Sequence, residues 1–441
     1  MTFSDMADVH TLEELCKSIQ DGDWIETKDQ SSAGYRLLQI GNIAVGKFRE
    51  SGKPRYVSED TFRRLNCTKI EIGDVLIARM PDPTGRAWCV DAPIPDSITS
   101  VDVAIVRVDL TKLDAKYLAY FLNQKSTLQL IASLQTGSTR QRIKRSDLAT
   151  LEIRTHSLDT QKAIAIFLTN LDEKIASNNA LCETLEGIAQ TIFKSWFIDF
   201  DPVKAKMVGE KPAGMDAATA ALFPDAMEES ELGLVPKGWS WITVGDIADV
   251  IDCLHSKKPE LLGEGFPYLQ LDTISDSGVL RFENAGLISR KDYEKWTSRI
   301  EVQGGDCLIT NVGRVGAVSQ VPDHFKAAIG RNITAIRPKE SALHRSFLIV
   351  SLLSEFMKKE ITRNTDSGTI LEALNVKNIP KLKVPGPSNS LLLEFAKLCD
   401  PIQLQIHDLH KMNVNLIMIR DSLLPRLISG ELQIPEEMLA S

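Results

Sequence analysis

The side chains able to do chemistry at neutral pH are scattered through this chain without the spacings that catalysis demands. His407 and His410 stand three apart, close enough to share one helical face. No further ligand accompanies them, so exposed polar positions are expected rather than a metal site. Asp172-Glu173-Lys174 has the composition of a nuclease site but falls inside a long helical pattern, where a solvated charged face is the simpler reading. The chain holds no GxxxxGK[ST] phosphate loop, no glycine-rich dinucleotide turn, no Gly-x-Ser elbow and no Asn-Pro-Pro-aromatic tetrapeptide of the kind that holds a flipped base for methylation. ATP hydrolysis, hydride transfer and acyl transfer are therefore not expected of it. The seven cysteines, at 16, 67, 89, 182, 253, 307 and 399, include no CxxC pair. They fit reduced thiols in the cytosol, without disulfide or zinc.

Recognition chemistry, by contrast, recurs on loops. Arg79 and Arg86 flank a loop with two prolines and a glycine, and Asn311, Arg314 and Arg331 occupy the matching region of the second half. Ser138, Thr139, Arg140 and Arg142 follow Gly137, and Thr369 follows Gly368 where that turn should repeat. Lys53, Arg55, Arg63 and Arg64 lie in a polar, basic stretch of the first half; Lys295 and Arg299, beside Trp296, take that part in the second. Arginine forks suit guanine edges and phosphates, and amides suit adenine edges. Any one basic loop residue is more often plain surface. Repetition at equivalent places is what makes these sixteen positions candidates for DNA contact.

The net charge of −8 does not oppose that reading, because it is unevenly placed. Residues 1–155 carry 21 basic and 21 acidic side chains, and residues 236–385 carry 20 and 18. The acidity sits in residues 156–235, with 6 against 13, and in residues 386–441, with 4 against 7. Neutral arms on an acidic spine can still offer basic loops to nucleic acid. No apolar run reaches the length of a membrane span, and Met1–Gln20 holds no secretory apolar core.

Two long helical patterns must position these loops. Leu168, Leu171, Ile175, Asn178, Cys182, Leu185, Ala189, Ile192 and Trp196 alternate at steps of three and four, the period of a coiled-coil seam. Phe395, Leu398, Ile402, Gln405, Leu409, Met412, Leu416, Ile419 and Leu423 repeat the pattern 227 positions later. Such a seam serves either a homodimer or a pair within the chain; one copy after each half favours the second, run antiparallel. Asn178 and Gln405 then either meet in a buried polar layer or face solvent. Pro401 and Pro425 are expected to kink or start helical segments. The preceding stretches also repeat: Gly34-Tyr35-Arg36-Leu37-Leu38-Gln39-Ile40 is answered by Gly265-Phe266-Pro267-Tyr268-Leu269-Gln270-Leu271, and Gly73-Asp74 by Gly305-Asp306. Several segments at one offset of about 230 mark an internal duplication. The expected architecture is α+β: two pseudo-symmetric mixed arms at residues 1–155 and 236–387, two long helices at 156–200 and 388–430, a linker at 201–235 and a tail at 431–441.

With that plan on the page, the chain resembles the specificity subunits of type I restriction-modification systems. The likeness rests on the arm-then-helix duplication and on specific strings. They include Thr191-Ile192-Phe193-Lys194-Ser195-Trp196-Phe197-Ile198-Asp199-Phe200-Asp201-Pro202-Val203, Ala220-Ala221-Leu222-Phe223-Pro224-Asp225, Leu232-Gly233-Leu234-Val235-Pro236-Lys237-Gly238-Trp239 and Leu423-Leu424-Pro425-Arg426-Leu427-Ile428-Ser429-Gly430-Glu431-Leu432. The resemblance implies that each arm is a target-recognition domain for one half of a split DNA sequence. It implies that the helices set the unread spacer and dock two methyltransferase subunits carrying S-adenosylmethionine. A separate motor-nuclease subunit would use ATP and Mg, and this chain would catalyse nothing. The rival readings are a coiled-coil scaffold without a DNA role and an enzyme whose site has no familiar motif.

Overall fold

The computed structural model describes residues 8–137, 140–366 and 372–435. Ser138, Thr139 and Thr369 lie outside the described residues. The chain packs as two compact units, one from residues 8–175 with 415–435 and one from residues 176–414. Among the described residues no helix is long and apolar enough to cross a membrane.

The first unit is built on an antiparallel sheet of Cys16–Asp21, Val103–Val108, Val75–Ala78 and Ala87–Cys89, in that spatial order. Val75–Ala78 is apolar at every position and buried throughout, as expected of a strand covered on both faces. One cover is the helix Ala115–Asn123, whose Asp114 cap accepts from Tyr117 N–H at 2.8 Å. A second small sheet joins Gln30–Ser31, Tyr56–Val57, Tyr35–Leu38 and Ser97–Thr99.

The second unit repeats this plan. Ala248–Asp252, Ile333–Pro338, Cys307–Thr310 and Val318–Gln320 stand in the same order, with Gly278–Val279 added at the edge. Ser341–Leu353 and Glu355–Arg363 answer Ala115–Asn123 and Lys125–Ser133. The repeat extends to single atoms. Asp74 is buried, accepts Glu71 N–H at 2.9 Å and takes the Arg107 fork at 2.9 and 3.3 Å. Asp306 is buried, accepts Gln303 N–H at 2.9 Å and takes the Arg337 fork at 2.8 and 2.6 Å. A charge-assisted bidentate pair of this kind ties the turn to the strand beside it. Gly34 and Gly265 have φ of +120° and +144°, and a Cβ there would meet a strand carbonyl oxygen at 2.2 and 2.3 Å. Neither position admits another residue without a shift of the backbone.

Leu158–Phe193 and Asn389–Ser429 are the two long helices. Within the first unit Asp172 pairs with Arg420 at 2.6 Å, and Leu168, Leu424 and Leu427 share a core. Within the second, Asn178 meets Asn413, Cys182 approaches the Ile406 carbonyl, and Phe193 lies 6.2 Å from Phe395. One number rises as the other falls, so the helices pair antiparallel in both units. Past Phe193 the chain passes through a π turn, Lys194–Ile198, and three of the four family-like strings fold into an aromatic core, while the last, Leu423–Leu432, packs in the first unit. Phe197 sits 5.1 Å from Phe395, and Trp196 5.2 Å from Phe223.

The seam of the first helix follows the expected positions: Leu171, Ile175, Leu185 and Ile192 are half-buried and Asn178 is buried. On the second helix every other expected position fails. Leu398, Met412 and Ile419 are 46, 44 and 46 % exposed, and Gln405 is exposed as well. Cys399, Ile406, Asn413 and Arg420 take their places, while Ile402 remains half-buried. The steps there run four then three, the reverse of the expected order. Asn178 therefore does not meet Gln405. Its amide donates to Asn413 at 2.8 Å, and Asn413 donates to Asn179 at 2.8 Å. Pro401 and Pro425 do not break the helix either; each removes its own N–H bond while packing holds the turns on both sides. Nor are the two histidines simply exposed. His407 is buried, with its pKa pushed down to about 4 by burial, and His410 pairs with Glu283 at 3.2 Å. Asp172 of the expected charged face is likewise engaged, since Tyr120 donates to it at 2.7 Å.

Replacing Asn413 by Ala strands the buried Asn178 amide. The full chain should lose about 1–3 kcal/mol, read as a lower urea midpoint with an unchanged slope. An unshifted midpoint would show that the layer adds nothing to stability.

Candidate nucleic-acid interface

The expected contact residues divide by what already holds them. Lys53, Arg55, Arg140, Lys295 and Arg331 are exposed and make no ion pair among the described residues. They are free to meet phosphate or a base edge. Arg63 is exposed and lightly tied to Glu59, and Arg64 is exposed and bonded to the buried Asp29 at 2.6 Å. Arg142 stands 3.7 Å from Asp102. Arg299 donates to the Cys253 carbonyl at 2.9 Å, while half its side chain remains in water. Arg314 donates to the Ile274 carbonyl at 2.7 Å and pairs with Asp276.

Three candidates are corrected outright. Arg79 is 3 % exposed, donates to the Ile143 carbonyl at 3.1 Å and pairs with Asp21. Arg86 is 4 % exposed and donates to the carbonyls of Ile43, Met80, Pro81, Pro83 and Ile40. Its five bonds hold the proline-rich loop shut from inside. Asn311 is 5 % exposed and donates to Thr334 at 2.7 Å. A buried cation keeps its charge by gathering carbonyl and carboxylate oxygens around it, and burial holds all three side chains back from the surface. Trp296, offered as a neighbour of Lys295 and Arg299, is buried edge-on to Tyr268.

Other residues line clefts on the arms without having been expected there. In the first unit Trp24 is 69 % exposed beside a cleft of about 320 Å³, which Asp23, Gln39, Asp102, Arg140 and Arg142 help to line. Burial pushes the Asp23 carboxyl up to about 6, against the pull of the Thr68 N–H. In the second unit Lys258, Gln270, Asp272 and Arg331 line a cleft of about 380 Å³. The repeat at one offset already aligned Gln39 with Gln270. Trp24 had no such signal, because an isolated tryptophan is more often core.

Asp252, Cys253 and His255 bring ligand atoms within 4.8 Å of one another. Asp252, however, already bonds His255 at 2.8 Å and stands 3.9 Å from Arg299. A neighbouring guanidinium opposes a metal cation there.

Removing the Arg86 side chain leaves three carbonyls of the proline-rich loop, and those of Ile40 and Ile43, without their donor. Arg86→Ala should cost the first unit about 2–4 kcal/mol of stability. In hydrogen exchange its signature is fast exchange through 76–90; protection equal to the parent's would return Arg86 to the list of direct readers.

The profile of the type I restriction modification DNA specificity domain matches residues 5–187 and again residues 236–390, one match on each arm. The HindI type I restriction enzyme specificity subunit of Haemophilus influenzae is 25 % identical over 82 % of this chain and 87 % of its own length. The MjaIX specificity subunit of Methanocaldococcus jannaschii is 27 % identical over 94 % of this chain and 87 % of its own. The crystal structure of a type I restriction-modification S subunit from M. genitalium superposes with a TM-score of 0.54 at 19 % identity, covering 97 % of this chain and 98 % of the other. The duplicated arms, the antiparallel helix pair and these matches together assign the chain: it belongs to the type I restriction-modification specificity subunits and carries two copies of their DNA specificity domain.

Proposed function

We propose that each arm of this chain reads one half of a bipartite DNA target, and that the paired helices fix the unread spacer between the halves. The observation carrying this reading is that the two specificity-domain matches fall on arms with one scaffold and different loops. Shared features, such as the Asp74–Arg107 and Asp306–Arg337 pairs, build the fold. Divergent exposed cations, such as Lys53 and Arg55 against Lys295, supply two different addresses.

The chain itself contributes recognition and no catalysis. Two methyltransferase subunits carry S-adenosylmethionine and modify adenine, and motor-nuclease subunits use ATP and Mg. Docking of those partners on the helices is supported by apolar side chains left in water on the second helix. In the second unit these are Leu398, Leu404 and Met412; in the first they are Met418, 64 % exposed, and Ile419. Apolar rows at helical spacing outside a filled seam mark a surface that another chain covers.

Modification-sensitive sequencing of DNA from cells making the chain with its methyltransferase partner tests the reading. A split adenine-methylated motif that disappears with the chain is expected; chain-independent methylation would favour a scaffold without a DNA role. One heptad added to both helices beside the asparagine layer keeps the seam in register and adds about 10 Å. The preferred spacer should then lengthen by about three base pairs, and an unaltered spacer would reject the helices as the ruler.

A further inference from the structure

We infer that the two arms read base edges through clefts at equivalent places. Trp24 and Arg142 decide the preference in the first cleft, and Lys258 and Arg331 decide it in the second. The inference rests on the reading of this chain as a DNA specificity subunit and names the reading site within each arm.

Equivalence follows from hydrogen bonds rather than from sequence alone. Ser100 N–H donates to the Leu38 carbonyl at 2.9 Å, and Gly330 N–H donates to the Leu269 carbonyl at 2.8 Å. The strand pairs Tyr35–Leu38 with Ser97–Thr99, and Phe266–Leu269 with Ala328–Ile329, are both parallel and end at these bonds. Four wall positions of the clefts then coincide: Gln39 with Gln270, Ile40 with Leu271, Ser100 with Gly330 and Val101 with Arg331. A depression that recurs at the same atoms of two diverged copies belongs to the design of the arm.

The cations do not coincide, and the way they differ is informative. Ile143 N–H donates to the Arg79 carbonyl at 3.0 Å, and Leu374 N–H donates to the Asn311 carbonyl at 2.8 Å. Arg142, just before Ile143, thus answers to Ala373, which has nothing to offer a base. The second cleft takes its guanidinium from a different position of the repeat, where Arg331 replaces the apolar Val101. Both clefts are lined by arginine, Arg140 and Arg142 in the first and Arg331 in the second, and these stand at non-equivalent positions of the repeat. Two half-sites of different sequence require that arrangement, because a base edge is identified by where its donors and acceptors lie.

Trp24 adds a second discriminator to the first cleft. It lies three residues beyond the strand Cys16–Asp21, with its indole N–H only 3.5 Å from the exposed Glu26 carboxylate. Leaving so large an apolar ring in water costs stability that contact with a base face or a thymine methyl recovers. Three residues past the matching strand Ala248–Asp252 stands His255, also exposed. Gln39 and Gln270, common to both clefts, offer an amide donor and acceptor to whatever base lies beside them.

The test uses the full chain assembled with its methyltransferase subunits and a DNA library randomised across both half-sites. The parent is compared with Trp24→Ala, Trp24→Phe, Arg142→Ala, Lys258→Ala and Arg331→Ala, after matched thermal midpoints establish that each is folded. Trp24→Ala and Arg142→Ala should flatten the preference at one or two positions of the first half by tenfold to a hundredfold, leaving the second half unchanged. Lys258→Ala and Arg331→Ala should do the reverse, and Trp24→Phe should restore part of the lost preference. Unchanged profiles in all variants, with the parent still selecting a split motif, would overturn the cleft assignment alone. Equal flattening of both halves would overturn it too. A parent that directs no methylation at any sequence would sink the functional reading and the inference together.

Discussion

The pairing of two helices from distant parts of the chain is the constraint on which both units depend. The first unit is discontinuous in sequence and closes its core only when residues 415–435 pack onto it; the second is one stretch that begins and ends on the two paired helices. The asparagine layer fixes how that happens. An apolar seam tolerates sliding by a heptad at modest cost, whereas Asn178 and Asn413 find a partner only in one register. Buried amides are weak contributors to stability and strong selectors among alternatives, and here the alternatives would misplace the helix residues that the second unit's core gathers.

How much of this was legible from the sequence depended on whether a residue's environment was local. The duplication was plain, since glycines such as Gly34 and Gly265 answer to backbone geometry that only they satisfy. The first seam was equally clear because its outer face is mostly polar or charged. The second misled because Asn389–Ser429 is apolar on more than one face. A period of 3.5 then fits two stripes, and Phe395, Ile402 and Leu409 belong to both. Only the partner helix decides between Leu398 and Cys399, or between Gln405 and Ile406.

For the candidate site the sequence names loops, and only the structure separates buried from exposed side chains within them. Loop arginines look alike in the sequence, yet Arg79 and Arg86 turn inward and Arg140 and Arg331 do not. A guanidinium has the same letters whether it gathers backbone carbonyls or waits for phosphate. The difference lies in contacts to Ile143, Ile43 and Ile40, far off in sequence. Conversely, the paired carboxylate-arginine ties Asp74–Arg107 and Asp306–Arg337 recur faithfully, so repetition alone marks scaffold as readily as function. What separates the two is change at a repeated place, as between Val101 and Arg331.

The apolar row outside the seam has a consequence for the life of the chain in a cell. Leu404 and Met412 in the second unit and Met418 in the first are left in water, and apolar side chains so placed invite chaperones and proteases. A subunit covering that row would shield it, and by mass action would also stabilise the folded form. Copies made in excess of the partner would be degraded or clump. Under the proposed docking, the amount of chain that persists would follow the supply of its partner.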